Sequence, residues 1–323
     1  MIEPKLNYVP FPDTALYGAG KPGHSLDTKV RQMAYWEWNA TGDPAHPHIV
    51  VCVHGLSRQG RDFDALARAL SPHVRVICPD IAGRGQSDWL ADSARYQVPQ
   101  YAADMLVLLA QLHQTTPLQT IDWVGTSMGG LIGMAVCGQP GLPLPVPVRR
   151  LVLNDVGPVI EWHALARIGE YVGQTGHFES LQQAADTMWA VSSHFGPHTP
   201  EQWLALCEHM VRPLPDGGVT LHYDPAIAEP FRALSALSPE AAAAGEAALW
   251  QLYDHISAHT LLVRGKESDL LAPSTAKAMG QRGPCAQLVE FAGVGHAPTF
   301  VSNDQIAALM AFLLDMDEDI SPA

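Results

Sequence analysis

Three observations predict an α/β fold: a mostly parallel central sheet of about eight strands, helices on both faces and an inserted helical cap. First, the segments HIVVCVHG, VRVICPD, IDWVGTS, RLVLNDV, TLLVRG and QLVEF are short, branched and almost continuously apolar, as strands buried on both faces must be. Second, stretches with helical apolar spacing, FDALARAL from Phe63 and QYAADMLVLLAQLH from Gln100, separate several of them, which implies crossover connections in a parallel sheet. Third, the rhythm breaks once, between Val156 and about Ser238, where three helix-like stretches replace any buried-strand pattern.

The elements follow in order. After an N-terminal lead-in, RQMAYWEWN carries the β-favouring aromatics of an early strand that can run antiparallel. Residues 1–156 and 239–323 are read as the α/β core. Residues 157–238 are read as the cap, with LARIGEYVGQ, LQQAADTMWAVSSH and PEQWLALCEHM as its helices and GGVTLHYDP as a hairpin or turn leaving it. The large apolar residues of this interval, Trp162, Met188, Trp189, Trp203 and Met210, suit either its own packing or the roof of a pocket. AAAAGEAAL from Ala241 is expected to be helical.

Composition narrows the class of function. The 323 residues are 47% apolar, enough for a substantial core, and 33 acidic against 19 basic residues give a formal charge of -14. Without a basic run, neither nucleic acid nor an anionic membrane surface is an expected partner. The start MIEPKLNYVPFPDT lacks the cationic and apolar regions of a signal peptide, and no apolar segment approaches the roughly 20 residues of a membrane span. A soluble, cytoplasmic protein is expected. The scattered Cys52, Cys78, Cys137, Cys207 and Cys285 read as reduced thiols, none with the neighbours of an activated thiolate.

Ligands of open α/β sheets bind beyond the carboxyl ends of the strands, here near His54, Asp80, Ser127, Asp155 and Arg264. Among these, Gly125-Thr126-Ser127-Met128-Gly129 matches G-x-S-x-G, with a buried-strand pattern before it and a helix-forming MGGLIGMAV after it. Small flanking residues let a tight turn present the serine between strand and helix. A serine hydroxyl needs a base to take its proton and a carboxylate to orient that base. His296, in GVGHAP just after QLVEF, is the expected base; Asp269, in RGKESDLL just after TLLVRG, is the preferred acid. Asp155, which ends RLVLND, is the main rival, and Glu267 a third option. The order Ser127, Asp269, His296 agrees with the serine, acid, histidine order that goes with such an elbow.

Charge developing on a substrate carbonyl oxygen needs backbone N–H donors. Met128 at the helix start and Leu56 in the turn after HIVVCVHG are the expected pair. Arg58, Trp162 and Trp189 are candidate substrate contacts, and the His54 side chain is expected to be structural. PDIAGRGQSD lacks nucleotide-binding spacing and is read as a turn in which Asp80 and Asp88 bond local backbone and Arg84 pairs with one of them. No metal motif is present.

VCVHGLSRQGRDFD, VICPDIAGRGQSDW, IDWVGTSMGGLIGM, LVLNDVGP, LLVRGKESDLL and FAGVGHAPTF together resemble the α/β-hydrolase superfamily over nearly the whole chain, in its capped branch of carboxylesterases, enol-lactonases and carbon–carbon bond hydrolases. The resemblance implies Ser127 as nucleophile, His296 as base, Asp269 as acid, Leu56 and Met128 as oxyanion-hole amides, and no cofactor. Fold relatives that form an alkyl-enzyme, the epoxide hydrolases and haloalkane dehalogenases, carry Asp where this chain has Ser127. The expected reaction is hydrolysis of a small-molecule carboxylic ester. Cleavage of a lactone or carbon–carbon bond by the same residues is the enzymatic alternative, and a non-catalytic ligand-binding module the alternative from another class. Oligomeric state stays open.

Overall fold

The computed structural model describes residues 2–12, 30–234 and 238–314. Its strands are β1 (Lys5–Pro12), β2 (Val30–Trp38), β3 (His48–Val53), β4 (Arg75–Pro79), β5 (Thr120–Thr126), β6 (Val148–Asn154), β7 (Val211–Pro213), β8 (Val219–Leu221), β9 (His259–Gly265) and β10 (Gln287–Phe291). The helices are α1 (Asp64–Leu70), α2 (Val98–Thr115), α3 (Met128–Gly138), α4 (Trp162–Tyr171), α5 (Leu181–Ser192), α6 (Pro200–Glu208), α7 (Ala228–Leu234), α8 (Pro239–Asp254), α9 (Pro273–Met279) and α10 (Asn303–Leu313).

Eight strands form one sheet in the order β1-β2-β4-β3-β5-β6-β9-β10, and β7 pairs with β8 in a separate hairpin. The pairs from β4 through β10 are parallel, whereas β2 runs antiparallel to β4 and β1 antiparallel to β2. β1 falls in what the sequence reads as a lead-in. Its prolines obscure it, but β1 is an edge strand, where a missing N–H costs no ladder bond on the open side.

The continuous apolar runs are explained by two cores. Along β3, Ile49, Val51 and Val53 enter one core, with α2, α3, α8 and α9, while Val50 and Cys52 enter the other, with α1 and α10. All five are fully buried. Each fully buried aliphatic side chain contributes about 1.5–3 kcal/mol, so a polar residue on either face would be costly. Glycine sets the spacing of α3 and α8: a Cβ at Gly138 would lie 2.0 Å from the Leu252 carbonyl oxygen.

Between β6 and β9 the chain leaves the sheet for α4 to α7 and the β7–β8 hairpin. α4, α5 and α6 match the three helix-like stretches, and GGVTLHYDP supplies β8 of the hairpin while β7 precedes it; α7 carried no recognised signal. Part of this interval packs on itself, through Ala185, Met188, Trp203 and Cys207. The PDIAGRGQSD turn grips its exit, where Gly85 N–H donates to His222 O at 3.1 Å and Asp224 N–H to Gly83 O at 2.7 Å; Tyr96, beyond that turn, adds an Oη donation to Asp224 Oδ2 at 2.5 Å. Among the described residues no helix is long and apolar enough to cross a membrane.

Candidate active site

β5 ends in a sharp elbow. Ser127 has φ 52° and ψ -115°, a backbone state that non-glycine residues adopt only when their surroundings enforce it. Its N–H donates to Asn154 O at 2.9 Å, and its carbonyl accepts from Gly130 and Leu131 at 2.9 and 3.1 Å. The motif glycines are required by close approach: a Cβ at Gly125 would lie 2.3 Å from Gly129 O, and one at Gly129 2.0 Å from Val53 O. The turn therefore seats Ser127 against the sheet while leaving its side chain at the carboxyl end.

The loop after β10 brings His296 over this elbow. Its course is fixed by Val294 N–H donating to Glu267 Oε2 at 2.9 Å and Gly295 N–H to His194 O at 2.6 Å. Glu267, the third acid candidate, thus braces the histidine loop from outside. Asn154 Nδ2 donates to Thr126 Oγ1 at 3.0 Å and Pro298 O at 2.8 Å, joining the end of β6 to both the elbow and the histidine loop. His296 Nε2 stands 3.0 Å from Ser127 Oγ, and its Nδ1 2.7 Å from Asp155 Oδ2. A carboxylate only accepts, so Nδ1 carries the proton, leaving Nε2 to accept the serine hydroxyl.

The structure corrects the preferred acid. Asp155 is fully buried at φ 54°, directly after β6. Its Oδ1 accepts from Gly265 N–H at 3.0 Å and its Oδ2 from Ser268 Oγ at 2.5 Å. Asp269 makes no hydrogen bond to His296 and is instead held by α4, where Arg167 Nε and Nη2 donate to it at 2.9 and 3.0 Å. Burial pushes the Asp269 carboxyl up, but the Arg167 hydrogen bonds and charge outweigh it and hold the group below its ordinary value. The reason is strand order. β6 lies between β5 and β9, so the residue ending β6 starts closer to the elbow, and the loop after β9 supplies Ser268 in support of Asp155. Ser268 was missed because a serine beside an aspartate after a strand carries no distinguishing signal.

Met128 opens α3, whose first N–H groups have no intrahelical acceptor. Leu56 lies in the turn after β3, across from it. Arg84 touches both residues: its Nε donates to Leu56 O at 2.8 Å, and its Nη2 lies 3.6 Å from Met128 Sδ. It does not pair with Asp80 or Asp88, as the sequence suggests. Its Nη1 donates to Ala82 O at 2.7 Å and Tyr101 Oη at 2.9 Å, and the Tyr96 and Tyr101 ring centroids lie 5.6 and 5.0 Å from its Cζ. Carbonyl dipoles and aromatic faces thus compensate a fully buried cation. Asp80 instead accepts from Gly60 and Gln86 N–H at 2.7 and 2.9 Å, while Asp88 accepts from Gln32 N–H at 2.7 Å.

His54 is held as a neutral structural ring. Nδ1 donates to Gly55 O at 2.7 Å, Nε2 accepts from Ile81 N–H at 2.9 Å, and burial, the main cause, pushes its pKa down to about 3.

Two cavities flank Ser127. One, of about 290 Å³, is lined by Arg58, Asp62, His194 and His296 among others; the second, of about 390 Å³, is lined by Met128, Val156, Ile160, Phe231 and Leu270 among others. Arg58 is therefore at the site, paired with Asp62 through Nε and Nη2 at 2.6 and 2.8 Å. The other two expected contacts are not. Trp162 points to solvent at 53% exposure, and Trp189 stacks edge-on against Trp203, with centroids 5.0 Å apart; neither lines either cavity. As the first residue of α4 and a mid-α5 residue, they take part in the helices without facing the elbow.

The model of the alpha/beta hydrolase family matches residues 50–309. The chain belongs to that family. It is 49% identical over 286 residues to a 3-hydroxybutyrate-oligomer hydrolase of Cupriavidus necator, covering 88% of this chain and 93% of that one. A solved alpha/beta hydrolase of Novosphingobium aromaticivorans superposes with TM-score 0.77 and 32% identity over 97% of this chain and 99% of its own. A solved putative hydrolase of Rickettsia typhi superposes with TM-score 0.79 and 26% identity, covering 96% and 99%. For this hydrolase the eight-stranded, mostly parallel sheet is thus the family fold, and a pimeloyl-[acyl-carrier protein] methyl ester esterase of Xanthomonas campestris is 24% identical over 81% of this chain and 93% of its own.

Proposed function

We propose that this hydrolase cleaves small carboxylic esters through an acyl-enzyme on Ser127, and that its substrates are short oligoesters of a hydroxy acid of the 3-hydroxybutyrate type. The observation that carries the chemistry is the continuous relay of Ser127 Oγ, His296 and Asp155, at 3.0 and 2.7 Å. Its similarity over most of both chains to a 3-hydroxybutyrate-oligomer hydrolase supports the substrate class.

Ser127 Oγ attacks the ester carbonyl carbon while His296 Nε2 takes its proton, and Asp155 stabilises the imidazolium that forms. Negative charge collects on the carbonyl oxygen, where the Leu56 and Met128 amides receive it; a donor in this role is worth about 3–4 kcal/mol in the barrier. Collapse breaks the bond to the alkoxy oxygen, which takes the proton from His296 Nε2 and leaves as the alcohol. Water then attacks the acyl-enzyme with His296 as base, and the acid leaves as Ser127 regains its proton.

A fluorophosphonate probe should label Ser127 in the wild type and not in Ser127→Ala, which should also lose hydrolysis of 3-hydroxybutyrate dimers and trimers. Unchanged turnover in folded Ser127→Ala would refute the mechanism. Full turnover of simple esters with none of the oligomers would refute the substrate class.

A further inference from the structure

The two cavities beside Ser127 differ in a way that gives the bound ester a direction. They share only Leu56, Ser127 and Ile168 of their linings, so the nucleophile sits at their junction. His296 lines the first and not the second, whereas Met128 lines the second. His296 must deliver a proton to the departing alkoxy oxygen, so that oxygen and the rest of the alcohol have to lie on the His296 side. The acyl chain then extends the other way.

Charge separates the cavities in the same sense. The second has no acidic, basic or histidine side chain in its lining. Its tyrosine hydroxyls are engaged elsewhere, Tyr96 Oη with Asp224 and Tyr101 Oη with Arg84. A carboxylate moved there would lose its hydration without gaining a partner, so the cavity excludes it. The first cavity contains Arg58, whose Nε and Nη2 are used by Asp62 and Leu206 O and whose Nη1 has no hydrogen-bond partner among the described residues. The Arg58 guanidinium lies 6.0 Å from the Phe195 ring centroid, which helps fix its plane.

We propose that the uncharged cavity is the acyl subsite and the Arg58 cavity is a leaving-group subsite selective for alcohols that carry a carboxylate. The subsite assignment rests on the serine-ester mechanism above. Combined with the oligoester reading, it makes the protein remove units from the carboxyl end of the chain, with the leaving hydroxy acid anchored by its own carboxylate on Arg58 Nη1 and the remaining acyl chain held on Ser127.

The test uses the full chain and two substrate series. O-acetyl-3-hydroxybutyrate and its carboxyl methyl ester share the scissile acetyl ester and differ in the charge of the alcohol. Wild type should prefer the free acid by about 10-fold or more in kcat/KM, a difference of about 1.4 kcal/mol, expressed mainly in KM. The double variant Arg58→Gln with Asp62→Asn, which leaves no lone buried charge, should bring that preference to within about 2-fold. For the other cavity, Ile160→Trp should lower turnover of p-nitrophenyl octanoate relative to acetate by about 10-fold, because the bulk occupies acyl space.

A wild-type preference for the methyl ester, or a free-acid preference intact in the double variant, overturns the carboxylate subsite. An unchanged acyl-length profile in Ile160→Trp overturns the acyl assignment. Failure of hydroxybutyrate dimers and trimers as substrates, with both series behaving as expected, overturns the oligoester reading and leaves the two subsites standing.

Discussion

His296 Nδ1 and Asp155 Oδ2 lie 2.7 Å apart. Asp155→Asn keeps the shape, and asparagine accepts the positive φ at this position, but it reverses the hydrogen-bonding demand on the imidazole. Turnover of p-nitrophenyl acetate should fall by about 10³–10⁴ with the fold retained. Asp269→Asn, which breaks the ion pair with Arg167 and removes a charge that reaches His296 only at longer range, should cost less than about 10-fold. Steady-state kinetics with circular dichroism on both variants checks the order, and the larger loss at Asp269 would restore the sequence-based choice.

Ser268 donates to the same carboxylate oxygen that faces His296. Removing that donor leaves Asp155 with the Gly265 amide and the imidazole alone, so its position loosens. Ser268→Ala should lower kcat by roughly 10-fold with KM little changed, and Ser268→Thr should recover most of it, since a net hydrogen bond to a charged group is worth about 1.5–3 kcal/mol. Equal losses in the alanine and threonine variants would point to packing rather than the hydroxyl.

Arg84 holds the Leu56 carbonyl and contacts the Met128 sulfur from beneath the elbow. Lysine keeps the charge and loses the planar fork, so Arg84→Lys should reduce kcat by about 10–100-fold through the oxyanion amides while KM shifts less than about 3-fold. A KM effect larger than the kcat effect would remove Arg84 from that positioning role.

Acid should destabilise the fold through His54. Unfolded, this histidine titrates near its ordinary value; folded, burial keeps it neutral down to about 3. Between those values the unfolded state binds the extra proton, so stability is full above about 6.5 and falls as pH drops, by about 1.4 kcal/mol per unit. His194, held down to about 4 chiefly by burial, acts in the same direction. Urea unfolding from pH 7 to 4.5 should show the slope, and His54→Asn, though less stable, should flatten it by about one proton.

Gly125→Ala should damage the elbow itself. Its Cβ would meet the Gly129 carbonyl at 2.3 Å, a backbone atom that cannot swing aside. A loss of about 1–3 kcal/mol or more is expected in chemical denaturation, with fluorophosphonate labelling of Ser127 lost at least in proportion. Wild-type stability and labelling would show that the turn adjusts without penalty.

Much of the molecule was legible along the chain because strands and helices leave local patterns. The runs ending at His54, Ser127 and Asn154 alternate between two cores, so most of their interior positions take an apolar residue whichever neighbour it meets. The G-x-S-x-G spacing announced the elbow because one of its glycines answers a contact made within a few residues, Gly125 against Gly129, although the other is required by the more distant Val53 carbonyl. His296 was legible from its place after the last strand. β1 was hidden because its prolines are compatible with a strand only at a sheet edge, and that is a property of strand order.

The sequence by itself determined the fold class and the strand-to-helix turn that carries Ser127, since each depends on periodicity or on motif spacing, and it pointed to His296 by that residue's place after the last strand. Only the tertiary structure decided which carboxylate orients that histidine, that Arg84 serves the elbow and not a neighbouring aspartate, and that Trp162 and Trp189 turn from the cavities. Asp155 and Asp269 both follow apolar strands; what separates them is that β6 lies next to β5 and β9 lies one strand further out. Hydrogen bonds reach about 3 Å, so the lateral order of the strands, which no local pattern encodes, selects the partner.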